Sequence, residues 1–239
     1  MTADDVAAIE ETEPARRSQR TTLTVLGLVA AVLLGFAIGF LARIPLEDKE
    51  TPTPADDSVD VGFLQDMTVH HIQAVTMATY ALKGATDPAV QSLAFDILTT
   101  QQTQIGEMQG LLTLWEKPLL PPPGEGYMAW MTDSDHGHDM PGMDMGSHSG
   151  PVDKMPGMAS DEELKALRQA QGPAFDTLFL QLMLRHHQGG ASMLAYAADH
   201  AEVDAVRNLA RAMLATQDKE SAQITEMITQ RGAQPLPMN

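Results

Sequence analysis

The order of apolar and polar residues divides the chain before any chemistry is considered. Residues 22–41, TLTVLGLVAAVLLGFAIGFL, carry no charge and match the roughly 20 apolar residues a bilayer-crossing helix needs. Residues 42–57 then turn Pro-rich and acidic, the composition of an extended spacer. From Ser58 onward apolar residues recur at helical spacing. Phe63, Met67, Ala74, Met77, Ala78 and Ala81 share one face, and His70 and His71 flank its centre. This predicts a first helix over about 58–83, stopped at Gly84. Asp87-Pro88 pairs an N-cap with a first-turn proline and opens a second helix, which runs to about Glu116 before Pro118 and Pro121-Pro122-Pro123. Ser160-Asp161-Glu162-Glu163 reads as a capping box heading a short helix. Gly172-Pro173 breaks that helix, and two more are expected over about 174–200 and 203–231, closed by Gly232.

The two helical pairs are copies of one unit. Residues 60–113 and 176–229 align without a gap at an offset of 116 and are identical at 19 of 54 positions. Shared residues include Phe63/Phe179, Met67/Met183, His70-His71/His186-His187, Met77/Met193, Tyr80/Tyr196 and Gln101/Gln217. A duplication of this length predicts two equivalent helical hairpins about an approximate two-fold. The expected architecture is all-α, a four-helix bundle over 58–231 preceded by one transmembrane helix. Copy one is 58–116, a linker covers 117–159, copy two is 160–231, and 1–21 and 232–239 are tails. Ala74 and its counterpart Gly190 are small, so they let the copies approach closely or leave room between them.

Charge and composition narrow the setting. The net charge of −17 opposes nucleic acid, whose phosphates would be repelled, and suits the attraction of cations. There is no cysteine and there are sixteen methionines, so any sulfur ligand is a thioether. Arg16, Arg17 and Arg20 precede the apolar run, and Glu47, Asp48, Glu50, Asp56 and Asp57 follow it. The positive-inside rule then puts the N-terminus in the cytoplasm and the bundle outside the plasma membrane, anchored in the bilayer by 22–41. A cleaved signal peptide is the rival, but the run is long for one and no clear small-x-small site follows it.

Two constellations carry candidate chemistry. The first is the doubled M-x-x-H-H-x-x-x-x-x-M: Met67, His70, His71 and Met77, repeated as Met183, His186, His187 and Met193. Imidazole suits copper, zinc, iron and nickel, and thioether favours Cu(I); the plainer account is methionine as gap filler and histidine as a bonded core residue. The second is residues 128–158, with seven methionines and three histidines among Gly, Pro, Asp and Ser. Its candidate ligands are His136, His138, Met140, Met143, Met145, His148, Met155 and Met158. The segment lacks the apolar periodicity of a core element, so its methionines are expected outside the core. It resembles the Met/His-rich segments of bacterial periplasmic copper proteins. A biased linker and a sacrificial target for methionine oxidation are the alternatives. Imidazole sites are expected to weaken by about pH 5, where thioethers still bind.

Enzyme signatures are missing. No Glu-x-x-His occurs, as a di-iron bundle would need, nor a Gly-rich phosphate loop, G-x-S-x-G or His-Glu-x-x-His. No catalytic residue is nominated. The duplicated Asp60 and Asp176 read as helix-start residues favoured by the helix dipole.

The motif D-x-x-F-x-x-x-M-x-x-H-H with a following methionine resembles the family known as domain of unknown function 305. Asp60, Phe63, Met67, His70, His71 and Met77 match in copy one, and Asp176, Phe179, Met183, His186, His187 and Met193 in copy two. Met155-Pro156-Gly157-Met158 resembles the family's inter-repeat motif. The one departure is Gln188-Gly189-Gly190, which puts glycine where copy one has Gln73-Ala74. The resemblance implies a ferritin-like four-helix bundle, secreted or membrane-anchored, with copper binding or tolerance proposed for some members. The expected function is copper sequestration or handover, with Cu(I) as cargo. A metal-dependent redox enzyme and a metal-free interaction scaffold remain open beside it.

Overall fold

Three of the helices start where the sequence supplies a side-chain cap. In the computed structural model, which describes residues 16–43, 53–131 and 151–239, the Ser58 hydroxyl accepts from Val61 N and opens α2 (Val59–Gly84). Asp87 accepts from Ala89 N ahead of Pro88, opening α3 (Pro88–Leu114). Ser160 and Glu163 form the reciprocal capping box of α4 (Asp161–Gln169). There follow α5 (Gly172–His200) and α6 (Asp204–Gln230). Preceding these is α1 (Arg16–Arg43), which belongs to a separate unit. Its stretch Arg20–Phe40 has mean hydropathy 2.5, long and apolar enough to cross a membrane or to serve as a signal sequence.

The chain is all-α: the described residues hold no strand, only an isolated antiparallel bridge between Tyr127 and Val152. α2 pairs with α3, α5 pairs with α6, and α2 packs against α5 to join the hairpins. Small residues permit that close approach, with Ala74, Ala78 and Ala81 buried on α2 and, on α5, Gly190, whose position faces His70 of α2.

The core is two apolar clusters rather than one. Cluster one gathers Met77, Ala81, Ile97, Phe179, Met183 and Ile224 with their neighbours. Cluster two gathers Phe63, Met67, Ile105, Met193, Met213 and theirs. All four bundle helices contribute to both. Between them lies a polar layer, because each helix switches from one cluster to the other across its buried His or Gln.

Asp60 and Asp176 do more than favour a helix dipole. Both are buried, and each crosses to the other copy. Asp60 accepts from the backbone N–H of Glu202 and Val203, both at 2.9 Å, ahead of α6. Asp176 accepts from Thr86 N (2.9 Å), Thr86 Oγ1 (2.8 Å) and Asp87 N (3.1 Å), ahead of α3. The equivalent donors are again 116 residues apart, so the duplication is welded by reciprocal capping of orphan N–H groups.

Candidate metal centre

All four bundle histidines are buried in the polar layer. His70 and His186 meet face to face, ring centroids 3.8 Å apart and tilted by 33°; His186 and His187 lie 6.3 Å apart. Helical spacing turns the first histidine of each pair toward the α2–α5 seam and the second toward its own hairpin partner. His71 Nε2 therefore meets Gln104 Oε1 on α3 at 2.9 Å, and His187 Nε2 meets Glu220 Oε2 on α6 at 2.6 Å. His186 Nε2 reaches the carbonyl of His70 at 3.0 Å. His70 Nε2 lies 3.4 Å from the carbonyl of Pro156.

The remaining layer atoms are unpaired. Nδ1 of all four histidines, and both amide atoms of Gln101 and Gln217, find no hydrogen-bond partner among the described residues. A buried orphan costs about 1–3 kcal/mol, so these eight atoms make the layer expensive unless something else satisfies them. Gln217 belongs beside His70: a Cβ on Gly190 would lie 3.0 Å from His70 Cε1 and 3.5 Å from both His70 Nδ1 and Gln217 Oε1. Glycine at 190 thus leaves the slot into which the His70 ring fits.

Burial opposes protonation of His70, His71 and His186. It lowers His70 to about 3, with His71 and His187 repelling a proton and the Pro156 carbonyl pulling the other way. It lowers His71 to about 4, against the pull of Gln104 and the Met67 carbonyl. His186 falls well below its usual value through burial and then through the charge of His70. His70 and His71 therefore stay neutral at pH 5, where a free imidazole is mostly protonated.

The four motif methionines are buried above and below this layer. Met67 and Met193 sit in cluster two, Met77 and Met183 in cluster one. Among the described residues no group of three or more His, Asp or Glu side chains converges as a metal site.

The departure at Gln188-Gly189-Gly190 has a structural cause. The inter-repeat strap crosses both central helices at the histidine level. Gln73 grips it in both directions, its Nε2 donating to the carbonyl of Ala159 (3.0 Å) and its Oε1 accepting from Ala159 N (2.7 Å). At the equivalent position on α5, a Cβ on Gly189 would overlap the Pro156 carbonyl. One copy holds the strap by a side chain and the other by having none. Gly157, at φ +77, lies against the Arg185 carbonyl and Gly189. Arg185, buried beside His186, pairs with Glu163 at 2.6 Å and holds that carboxyl below its usual range.

The linker's other end is also docked. Asp66 accepts from Met128 N (2.7 Å) and Trp130 Nε1 (2.8 Å), and Trp130 packs on Gly62, Phe63 and Tyr196. The linker methionines are therefore not all outside the core. Met155 is buried, and Met128, Met131 and Met158 pack on cluster two. Helical or strand periodicity has no bearing on a strap that docks by single residues. His136, His138, Met140, Met143, Met145 and His148 lie outside the described residues.

Sequence reasoning missed Gln104 and Glu220 and gave Gln101 and Gln217 no role. The signal was available: Gln101/Gln217 is a polar identity on an otherwise apolar face, and 104/220 lies one turn further along it.

A curated relative, Uncharacterized protein L153 of Acanthamoeba polyphaga mimivirus, is 38% identical over 53 residues. That match spans 22% of this chain and about a third (35%) of the relative's length. A DUF305 protein from Streptomyces coelicolor superposes with a TM-score of 0.65 at 36% identity, over 77% of this chain and 99% of that one. CopM in its Cu(II)-bound form superposes with a TM-score of 0.52 at 28% identity, over 72% of this chain and 96% of CopM. The family model described as domain of unknown function (DUF305) matches residues 60–228, and the chain belongs to that family.

Proposed function

We propose that this protein is a membrane-anchored, extracytoplasmic metal-binding bundle whose cargo is copper, held as Cu(I) for sequestration or handover. The observation that carries this reading is the set of four buried imidazoles whose Nδ1 atoms have no partner. Neutral imidazole is a metal ligand, and the cost of leaving it orphaned is offset when an ion takes its lone pair. The donor chemistry fits copper, with thioethers in the adjoining clusters to favour the monovalent state. The likeness to CopM, whose solved forms include Cu(I)-bound and Cu(II)-bound ones, supports the choice of metal. His70, His71, His186 and His187 are the proposed ligands, with Met67, Met77, Met183 and Met193 alongside. His136, His138, Met140, Met143, Met145, His148, Met155 and Met158 are proposed for capture, although burial of Met155 requires the strap to lift before its sulfur is reached.

The proposed anchor is the apolar run 22–41, which overlaps the membrane-length stretch Arg20–Phe40, and Arg16, Arg17 and Arg20 before it favour a cytoplasmic N-terminus. The testing experiment is titration of the full chain in detergent micelles with Cu(I) under a competing chelator, followed by elemental analysis. Stoichiometric copper that survives the chelator is expected; a chain that elutes free of metal contradicts the reading. A metal-free scaffold is the second reading. It is favoured by the hydrogen bond that each Nε2 already makes within the bundle.

A further inference from the structure

The Nε2 partners have a chemical asymmetry that fixes where protons sit. A backbone carbonyl and a carboxylate accept hydrogen bonds and cannot donate them. His186 Nε2 faces the His70 carbonyl at 3.0 Å, His70 Nε2 faces the Pro156 carbonyl at 3.4 Å, and His187 Nε2 faces the Glu220 carboxylate at 2.6 Å. In each ring the proton therefore belongs on Nε2. A neutral imidazole has one N–H, so Nδ1 is left with a bare lone pair. Those Nδ1 atoms are the ones that are buried and unpartnered. His71 is not fixed in this way, since the Gln104 amide can present either face and the Met67 carbonyl lies one turn back.

The copies differ at one point of this scheme. Residue 104 is glutamine and its counterpart 220 is glutamate. The same contact is thus neutral in copy one and charge-assisted in copy two, and the second is shorter, 2.6 Å against 2.9 Å. A carboxylate behind an imidazole fixes its tautomer and raises its basicity as a ligand, and loss of such a partner costs about 10- to 100-fold in metal affinity.

We infer that the layer takes its ion through bare Nδ1 atoms, one or two of those on His70, His186 and His187, and that Glu220 is the positioning residue that makes His187 the strongest of these donors. The inference rests on the metal-binding reading above and adds to it the ligating atom and the residue behind it. No three of these side chains converge among the described residues, and a monovalent d10 ion accepts the low coordination number that one or two imidazoles supply. Gln104 is the natural control, the same position built without the charge.

The test uses the full chain in detergent micelles, labelled with 15N at histidine, and Ag(I) as a diamagnetic probe. Long-range proton–nitrogen correlation reports which ring nitrogen carries hydrogen. Without silver, His70, His186 and His187 are expected with protonated Nε2 and bare Nδ1. With silver, the Nδ1 resonances of one or two of them move while the Nε2 protons remain. E220Q should weaken silver binding by about 10- to 100-fold and Q104E should strengthen it, with the helical circular dichroism of both unchanged. Silver-induced movement of Nε2 instead of Nδ1, or protonated Nδ1 before silver, overturns the assignment of the ligating atom and leaves metal binding standing. Silver bound with no bundle histidine moving removes the bundle site itself. An E220Q chain with parental affinity overturns the positioning role, and should E220Q fail to fold, the tautomers of the parent still decide.

Discussion

His186 donates from Nε2 to the carbonyl of His70, its own counterpart 116 residues earlier, at 3.0 Å. The two rings lie 3.8 Å apart, so the seam between the copies is made by the residue that defines the repeat. A duplicated unit needs a way to recognise its twin. Here the recognition is polar and buried, which fixes register more strictly than an apolar face of Ala and Gly could.

Removing the reciprocal caps should weaken the bundle without touching the histidines. Asp176→Ala strips acceptors from two backbone N–H groups and the Thr86 hydroxyl, and Asp60→Ala from two backbone N–H groups. Each should cost about 1.5–3 kcal/mol, the worth of hydrogen bonds to a charged group, because the half-buried donors regain only part of their bonding from water. Urea unfolding followed by circular dichroism measures this, with Asp176→Ala expected to cost the more.

The strap should respond to a single methyl group. Gly189→Ala places a Cβ into the Pro156 carbonyl, and the strap must move. Overpacking of this kind costs about 1–3 kcal/mol. Limited proteolysis should then cut within residues 151–160 faster than in the parent. Unchanged cleavage would show that the strap is not held as described.

Most of this fold was legible in the sequence, and what escaped did so for definable reasons. Helix starts at Ser58, Asp87 and Ser160 follow from side chains that cap their own helix, so local pattern suffices. Asp60 and Asp176 cap a different helix, and no local pattern encodes a partner 142 or 90 residues away. Gly189 made sense only once the strap lay on it. Met155 was placed outside the core because its neighbours have no period, yet one buried side chain needs none. The histidine pairs stood out because they were repeated. Their partners Gln104 and Glu220 did not, because the repeat had changed the residue.

Stability of the metal-free protein should fall with acid. His70 and His71 have folded values of about 3 and 4, below the ordinary 6.5, so the unfolded chain binds more protons between those limits. Their contribution is complete above about pH 6.5 and is lost as pH falls toward 4 and then 3, at about 1.4 kcal/mol per unit for each ring. His186 acts in the same direction. Asp66 acts oppositely, because burial raises its carboxyl and the folded state is favoured by its protonation. The histidines outnumber it. Thermal melts from pH 7.5 to 4 should show a steady decline, and replacing His70 with Gln should flatten it.

The central claim is that the buried histidine layer holds copper, and equilibrium Cu(I) stoichiometry on three forms of the full chain tests it most directly. The forms are the parent, a chain with His70, His71, His186 and His187 replaced by Gln, and a chain with His136, His138, Met140, Met143, Met145 and His148 replaced by Ser. All three are compared in detergent micelles at pH 7.5 and pH 5, with helicity checked by circular dichroism. The second replacement spares Met155 and Met158, which the bundle packs. The linker variant should keep a tight site at both pH values, because burial holds His70 and His71 neutral at pH 5. The four-histidine variant should lose that site while remaining helical. If the folded four-histidine variant binds as much copper as the parent, with the same affinity, the layer is structural and the account is wrong.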